Sequence, residues 1–108
     1  MSQYLFIQSQ DPFTESRTHH QFQLIEQLHQ AGHDVSVLLV QNGVTSARRG
    51  ARTESFDRLL DRGVPILADT FSLGQREIAD ADLKDKIGLS SLHVVIDAML
   101  ADGKVIWH

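Results

Sequence analysis

The sequence predicts a single α/β domain over residues 1–108, built as three layers: a mainly parallel sheet with helices on both faces. Three observations predict it. Strand-like and helix-like segments alternate along the chain. The strand-like segments are short apolar runs closed by turn residues, the pattern of buried strands. No tandem repeat, low-complexity tract or flexible linker divides the chain.

Tyr4-Leu5-Phe6-Ile7 is the first strand, broken at Gln8-Ser9-Gln10-Asp11-Pro12. Pro12 pushes Asp11 away from the helical region, so a loop follows. A helix is expected from about Thr14 to Ala31. Its apolar positions Phe22, Ile25, Leu28 and Ala31 recur at intervals of three and form one buried stripe, with Gly32 as C-cap. Asp34 to Val40 reads as the second strand, ended by Gln41-Asn42-Gly43. Val44 to Arg52 is short, polar and basic. Glu54 to Arg62 predicts a helix with Phe56, Leu59 and Leu60 turned inward and Gly63 closing it. Val64 to Ala68 is the third strand. It stops at the acidic, polar turn Asp69-Thr70-Phe71, and strand ends of this kind are where α/β proteins gather ligands. Ser72 to Ile78 reads as a short helix and Asp80 to Lys86 as a charged, exposed segment. Ser90 or Ser91 can N-cap a last helix running to about Ala101. Asp102-Gly103 then turns the chain into a final strand, Lys104 to Trp107.

Composition narrows the chemistry. A chain of 108 residues buries roughly two-thirds of its unfolded surface, enough for a core without metals or disulfides. Hydrophobic residues make up 42% and charged residues 22%, which fits a soluble globular protein rather than a disordered one. A net charge of −4 offers no general attraction to nucleic acid or to an anionic membrane. There is no cysteine, hence no disulfide, no thiolate metal site and no sulfur nucleophile. Met1-Ser2-Gln3-Tyr4 lacks the basic region and apolar run of a signal peptide, and no apolar stretch approaches the ~20 residues that span a bilayer. A cytoplasmic location is expected.

The chain resembles the DsrE/DsrF-like small proteins, in particular the DsrE or TusD type of sulfur-relay subunit. The resemblance covers nearly all of it. It rests on Asp11-Pro12-Phe13 after the first strand, Phe22-Gln23-Leu24 in the first helix, and Ala31-Gly32-His33-Asp34-Val35 leading into the second strand. Asn42-Gly43-Val44, Gly63-Val64 and Ile87-Gly88-Leu89-Ser90-Ser91 complete it. No single motif is specific; their order and spacing are. With the alternation, the resemblance implies a sheet of about five strands and assembly into trimers, hexamers or mixed complexes. It also implies a single cysteine at the end of strand three that carries sulfane sulfur as a persulfide. A helix amino terminus there lowers the thiol's pKa. Asp69 matches that cysteine by position, and a carboxylate cannot form a persulfide. The departure takes persulfide carriage away from this chain's own side chains.

Asp69 has two readings: a cap on the helix that starts near Thr70 or Phe71, or a ligand contact or acid/base group in a pocket. Such a pocket would be formed by the loops at the strand ends, from Ser9, Gln10 and Asp11, then Asn42 and Gly43, then Asp69, Thr70 and Phe71. These residue types also make turns and caps without any ligand. Arg48, Arg49 and Arg52 could hold a phosphate or sulfate or dock an acidic partner, or simply pair with acids such as Glu54 and Asp57. His19 and His20 are adjacent and point to different faces of their helix. His29 and His33 are separated by Gly32, and His93 and His108 have no evident companion, so no metal site is expected. Asp80, Asp82 and Asp85 lack the glycine and terminal Glu of a calcium loop. Ser9, His19 and Asp11 lack the Gly-x-Ser-x-Gly elbow of a hydrolase. The residues favour binding over catalysis, with an enzyme working through the pocket around Asp69 as the alternative, and no cofactor is expected. The expected partners are further copies of the chain, related DsrE-type or sulfur-relay proteins, or a small anionic ligand at the rim. Val94, Val95, Met99 and Leu100 suit either a core face or an interface.

Overall fold

The computed structural model describes residues 3–108, so Met1 and Ser2, half of the amino-terminal segment read above, lie outside it. The strands are β1 (Gln3–Gln8), β2 (Asp34–Leu39), β3 (Ile66–Asp69), β4 (Ile87–Ser90) and β5 (Lys104–Trp107). The helices are α1 (Arg17–Gln30), α2 (Glu54–Asp61), α3 (Thr70–Gln75) and α4 (His93–Leu100). The sheet order is β4-β3-β2-β1-β5, with every neighbouring pair parallel. All five carboxyl ends therefore lie along one edge of the sheet.

The pleat sends alternate residues to opposite faces, and both faces are apolar, as a sheet covered on two sides requires. Phe6, Val35, Val37, Leu39, Ile66 and Ala68 face α1 and α2, which contribute Phe22, Ile25, Phe56 and Leu59. Phe22 and Phe56 meet with ring centroids 5.5 Å apart. Leu5, Ile7, Leu38 and Val40 face the other way, toward the partly buried Val94, Val95 and Ala98 of α4. The two faces are unequally covered. One carries α1, α2 and, through Leu73, α3 over a large core, the other a single helix of 8 residues.

Several boundaries differ from the sequence reading, each for a local reason. The chain turns tightly through Asp11, whose carboxylate accepts from the Phe13 N–H at 2.8 Å, so α1 begins at Arg17 rather than Thr14. Ala31 is the exposed C-cap of α1, not part of the buried stripe. Gly32 follows at φ 90°, and the His33 N–H reaches back to the Leu28 carbonyl, closing a Schellman turn. Of the segment Val44 to Arg52 read as polar and basic, Val44–Ala47 lie in a 3₁₀ helix, Gln41–Ala47, with Val44, Ser46 and Ala47 buried, and the arginines follow it. The third helix is Thr70–Gln75, not Ser72–Ile78, because Asp69 caps it directly from the strand end. Ile87–Ser90, read only as the approach to the last helix, is the edge strand β4. Ser90 lies in that strand, and Leu92 stands at the amino terminus of α4 with no side-chain cap, so neither Ser90 nor Ser91 caps it.

Candidate ligand site

Asp69 is the last residue of β3 and the N-cap of α3. Its Oδ2 accepts from the Ser72 backbone N–H at 3.0 Å and from the Ser72 hydroxyl at 2.7 Å. The Ser72 Oγ in turn accepts from the Gln41 N–H at 2.8 Å. One serine thus ties the end of β2 to the end of β3. Gln41 holds φ 50°, a left-handed conformation uncommon outside glycine, and that backbone bond helps to fix it. Asp69 is only 5% exposed, yet it lines a surface cavity of about 220 Å³.

The cavity lies on the α4 side of the rim. Its wall is mostly apolar: Val40 at the floor, Phe71 from α3, Leu92 before α4 and Trp107 from β5. Gln41, Ser72 and Gln75 add neutral polar groups, and Asp69 is the only charged side chain in the lining. Phe71 is 70% and Trp107 60% exposed, so both stand at an open mouth.

Of the rim residues expected from the sequence, Asp69 and Phe71 line this cavity; the others do not. Ser9 is spent on the carboxyl-terminal strand, donating its N–H and its hydroxyl to the His108 carbonyl at 2.8 and 2.9 Å. Gln10 is exposed. Its carbonyl accepts from the buried Gln8 amide at 3.2 Å. Asp11 makes the turn described above. Asn42 Oδ1 accepts two bonds from the Arg76 guanidinium, at 3.2 and 2.9 Å. Gly43 crosses the end of β1 so closely that a Cβ there would lie 2.0 Å from the Gln8 carbonyl oxygen, which only glycine avoids. Thr70 is exposed.

The three arginines do not line this cavity. Arg49 is a structural clamp: its Nε donates to the Leu83 carbonyl at 2.8 Å and its Nη2 pairs with Asp85 at 3.3 Å. Arg48 pairs with Leu83 through a backbone bridge, and Arg52 is exposed. Asp57, read as a possible arginine partner, instead takes Lys84 at 2.7 Å, with the Lys84 ammonium 5.3 Å above the Phe56 ring. Among the described residues, no group of three His, Asp or Glu side chains could hold a metal ion. The Ser9, His19 and Asp11 combination is not assembled; His19 packs beside His20, ring centroids 6.0 Å apart. Asp80 and Asp82 sit in an exposed 3₁₀ turn.

Sequence reasoning missed Gln41, Ser72, Leu92 and Trp107. Ser72 had a signal, since a serine three residues after an N-cap aspartate can bond back to it. Trp107 had none, because only the strand order brings β5 to this end of the rim.

No curated protein matches the chain. Among solved structures, the YchN protein of E. coli superposes with a TM-score of 0.86 at 19% identity, over 100% of both chains. MTH1491 of Methanobacterium thermoautotrophicum, a protein of unknown function, superposes at 0.79 with 18% identity, again over 100% of both. These likenesses establish the fold. The DsrE/DsrF-like family model matches residues 2–107, and the chain belongs to that family.

Proposed function

We propose that this protein is a non-catalytic binding and assembly subunit of cytoplasmic sulfur metabolism or sulfur relay, a DsrE-like scaffold without the sulfur-carrying thiol. The observation that carries the proposal is Asp69, which stands where the resemblance puts the persulfide cysteine and is committed to holding the strand end together through Ser72. The chain has no other thiol to substitute. Self-association is part of the proposal, as a trimer or hexamer, alone or with cysteine-bearing relatives. It is supported by the thinly covered face of the sheet, where Leu92, Ile96, Met99 and Leu100 of the α4 region stand in solvent. Native mass spectrometry of protein purified gently from its own host tests this. A trimer or hexamer mass, with or without a DsrE-type partner, is the expected result. A monomer under the same conditions overturns it.

The cavity beside Asp69 favours a second reading, a subunit that binds a small ligand at the rim. The anionic form of that reading gains no support from the wall, since Arg48, Arg49 and Arg52 stand outside it. A homo-oligomer that carries a small extra mass in the same experiment would favour this second reading.

A further inference from the structure

From the chemistry of the cavity wall, we infer that the rim site takes a small amphipathic organic cation: an ammonium group at Asp69, with an apolar or aromatic body lying toward Trp107. The inference rests on the ligand-binding reading and names its substrate class.

Four observations carry it. Asp69 is the only charged side chain in the lining, and it stands against the electropositive amino terminus of α3, where one of its oxygens is taken by the cap. Both internal hydrogen bonds of Asp69 fall on Oδ2, and among the described residues none falls on Oδ1. Oδ1 accepts no bond from the described residues and is not fully buried, so its lone-pair capacity is open to a donor. An ammonium supplies three donors and the opposite charge; a carboxylate or phosphate supplies neither and would be repelled. The rest of the wall suits a hydrocarbon body, with Val40, Phe71, Leu92 and Trp107 presenting apolar and aromatic surface. Asp69 ends β3 and Trp107 ends β5, three places apart in the strand order, so at about 4.8 Å per strand their backbones are ~14 Å apart, and the side chains that line the shared cavity cover part of that gap. That separation calls for an elongated ligand rather than a bare ammonium ion. A cavity of about 220 Å³ is smaller than the ~300–1,000 Å³ of drug-sized sites, which sets the scale at an arylalkylamine.

Three probes of one shape and different charge decide it: 2-phenylethylamine, 2-phenylethanol and 3-phenylpropanoate. Each is titrated into the intact protein, in whatever oligomeric state it adopts, and followed by Trp107 fluorescence and amide chemical shifts. The chain has one tryptophan, so the fluorescence reports on this site alone. The amine is expected to bind at least about tenfold more tightly than the alcohol, and the acid more weakly than either. Asp69→Asn keeps a capping oxygen, so the fold is retained while the charge is lost. In that variant the amine should lose its advantage and the alcohol should bind as before. Equal binding of all three probes, tighter binding of the acid, or an unchanged preference in Asp69→Asn each overturns the cation assignment while leaving a ligand cavity in place. Saturating amounts of all three without any shift would remove the ligand-binding reading together with it. Neither result touches the assembly proposal, which is read by mass.

Discussion

At Asp69, capping and ligand contact need not compete, because the two oxygens have separate tasks. Oδ2 accepts both Ser72 donors. Asp69→Ala leaves the Ser72 N–H, a buried donor, without its acceptor and should cost about 0.5–2 kcal/mol in urea unfolding, whereas Asp69→Asn should cost only a few tenths. Asp69→Cys, which restores the family's thiol, should cost nearly as much as alanine, since a thiol is a weak acceptor. A Cys variant as stable as the parent would mean that the Ser72 bonds contribute nothing. Elsewhere, Glu15 is gripped by Arg17, whose side chain and backbone N–H hold its carboxyl down to about 2. A carboxyl lowered in the folded state adds stability that is present above its unfolded value and lost as pH falls through about 2. The pair is exposed to solvent, so the effect on stability is small. The titration itself is the clear readout: carbon-detected NMR should place the Glu15 midpoint near 2 in the parent and shift it up toward 4.5 in Arg17→Ala.

At the scale of elements, the glycines separate positions where backbone is pressed against backbone from positions where it is free. Gly43 sits in the 3₁₀ segment with the Gln8 carbonyl where its Cβ would be, so Gly43→Ala must push β1 and that segment apart. A loss of about 1–3 kcal/mol in chemical unfolding is expected. Gly74, inside α3, has nothing within 4 Å of such a Cβ. Gly74→Ala should therefore stabilise by roughly 0.5–1 kcal/mol through helix propensity. Opposite signs from one chemical change would confirm the crossing of the 3₁₀ segment over β1; two similar values would refute it. The same contrast shows what was legible in the sequence. Strands buried on both faces announce themselves as apolar runs, and α2 as an apolar stripe, because their patterns are local. β4 does not. It is an edge strand of 4 residues with a glycine and a serine among them, and its strand character comes from pairing with β3. The stretch from Val44 to Arg52 read as polar and basic because of Arg48, Arg49 and Arg52, while its buried residues, Val44, Ser46 and Ala47 at the end of the 3₁₀ helix, are too small to form a visible stripe.

For the whole molecule, strand order makes both the site and the surface. Five parallel strands put every carboxyl end on one edge, so the rim was foreseeable; which rim residues share a cavity was not, because that depends on β5 lying beside β1. The same order leaves α4 alone on its face, with Val94, Val95 and Ala98 inward and Leu92, Ile96, Met99 and Leu100 outward. A helix that is apolar on both sides is what a second copy would cover. Leu100 is 82% and Ile96 59% exposed, so neither contributes much to the fold of one protomer. Ile96→Glu with Leu100→Glu should therefore change protomer stability by no more than about 0.5 kcal/mol per site, as exposed substitutions usually do, yet abolish self-association. Light scattering of parent and double variant at matched concentration reads the second effect, and circular dichroism during urea unfolding the first. A parent that is already monomeric would leave the apolar face of α4 without a second copy and would end the assembly proposal. A double variant that still assembles would move the interface to another face.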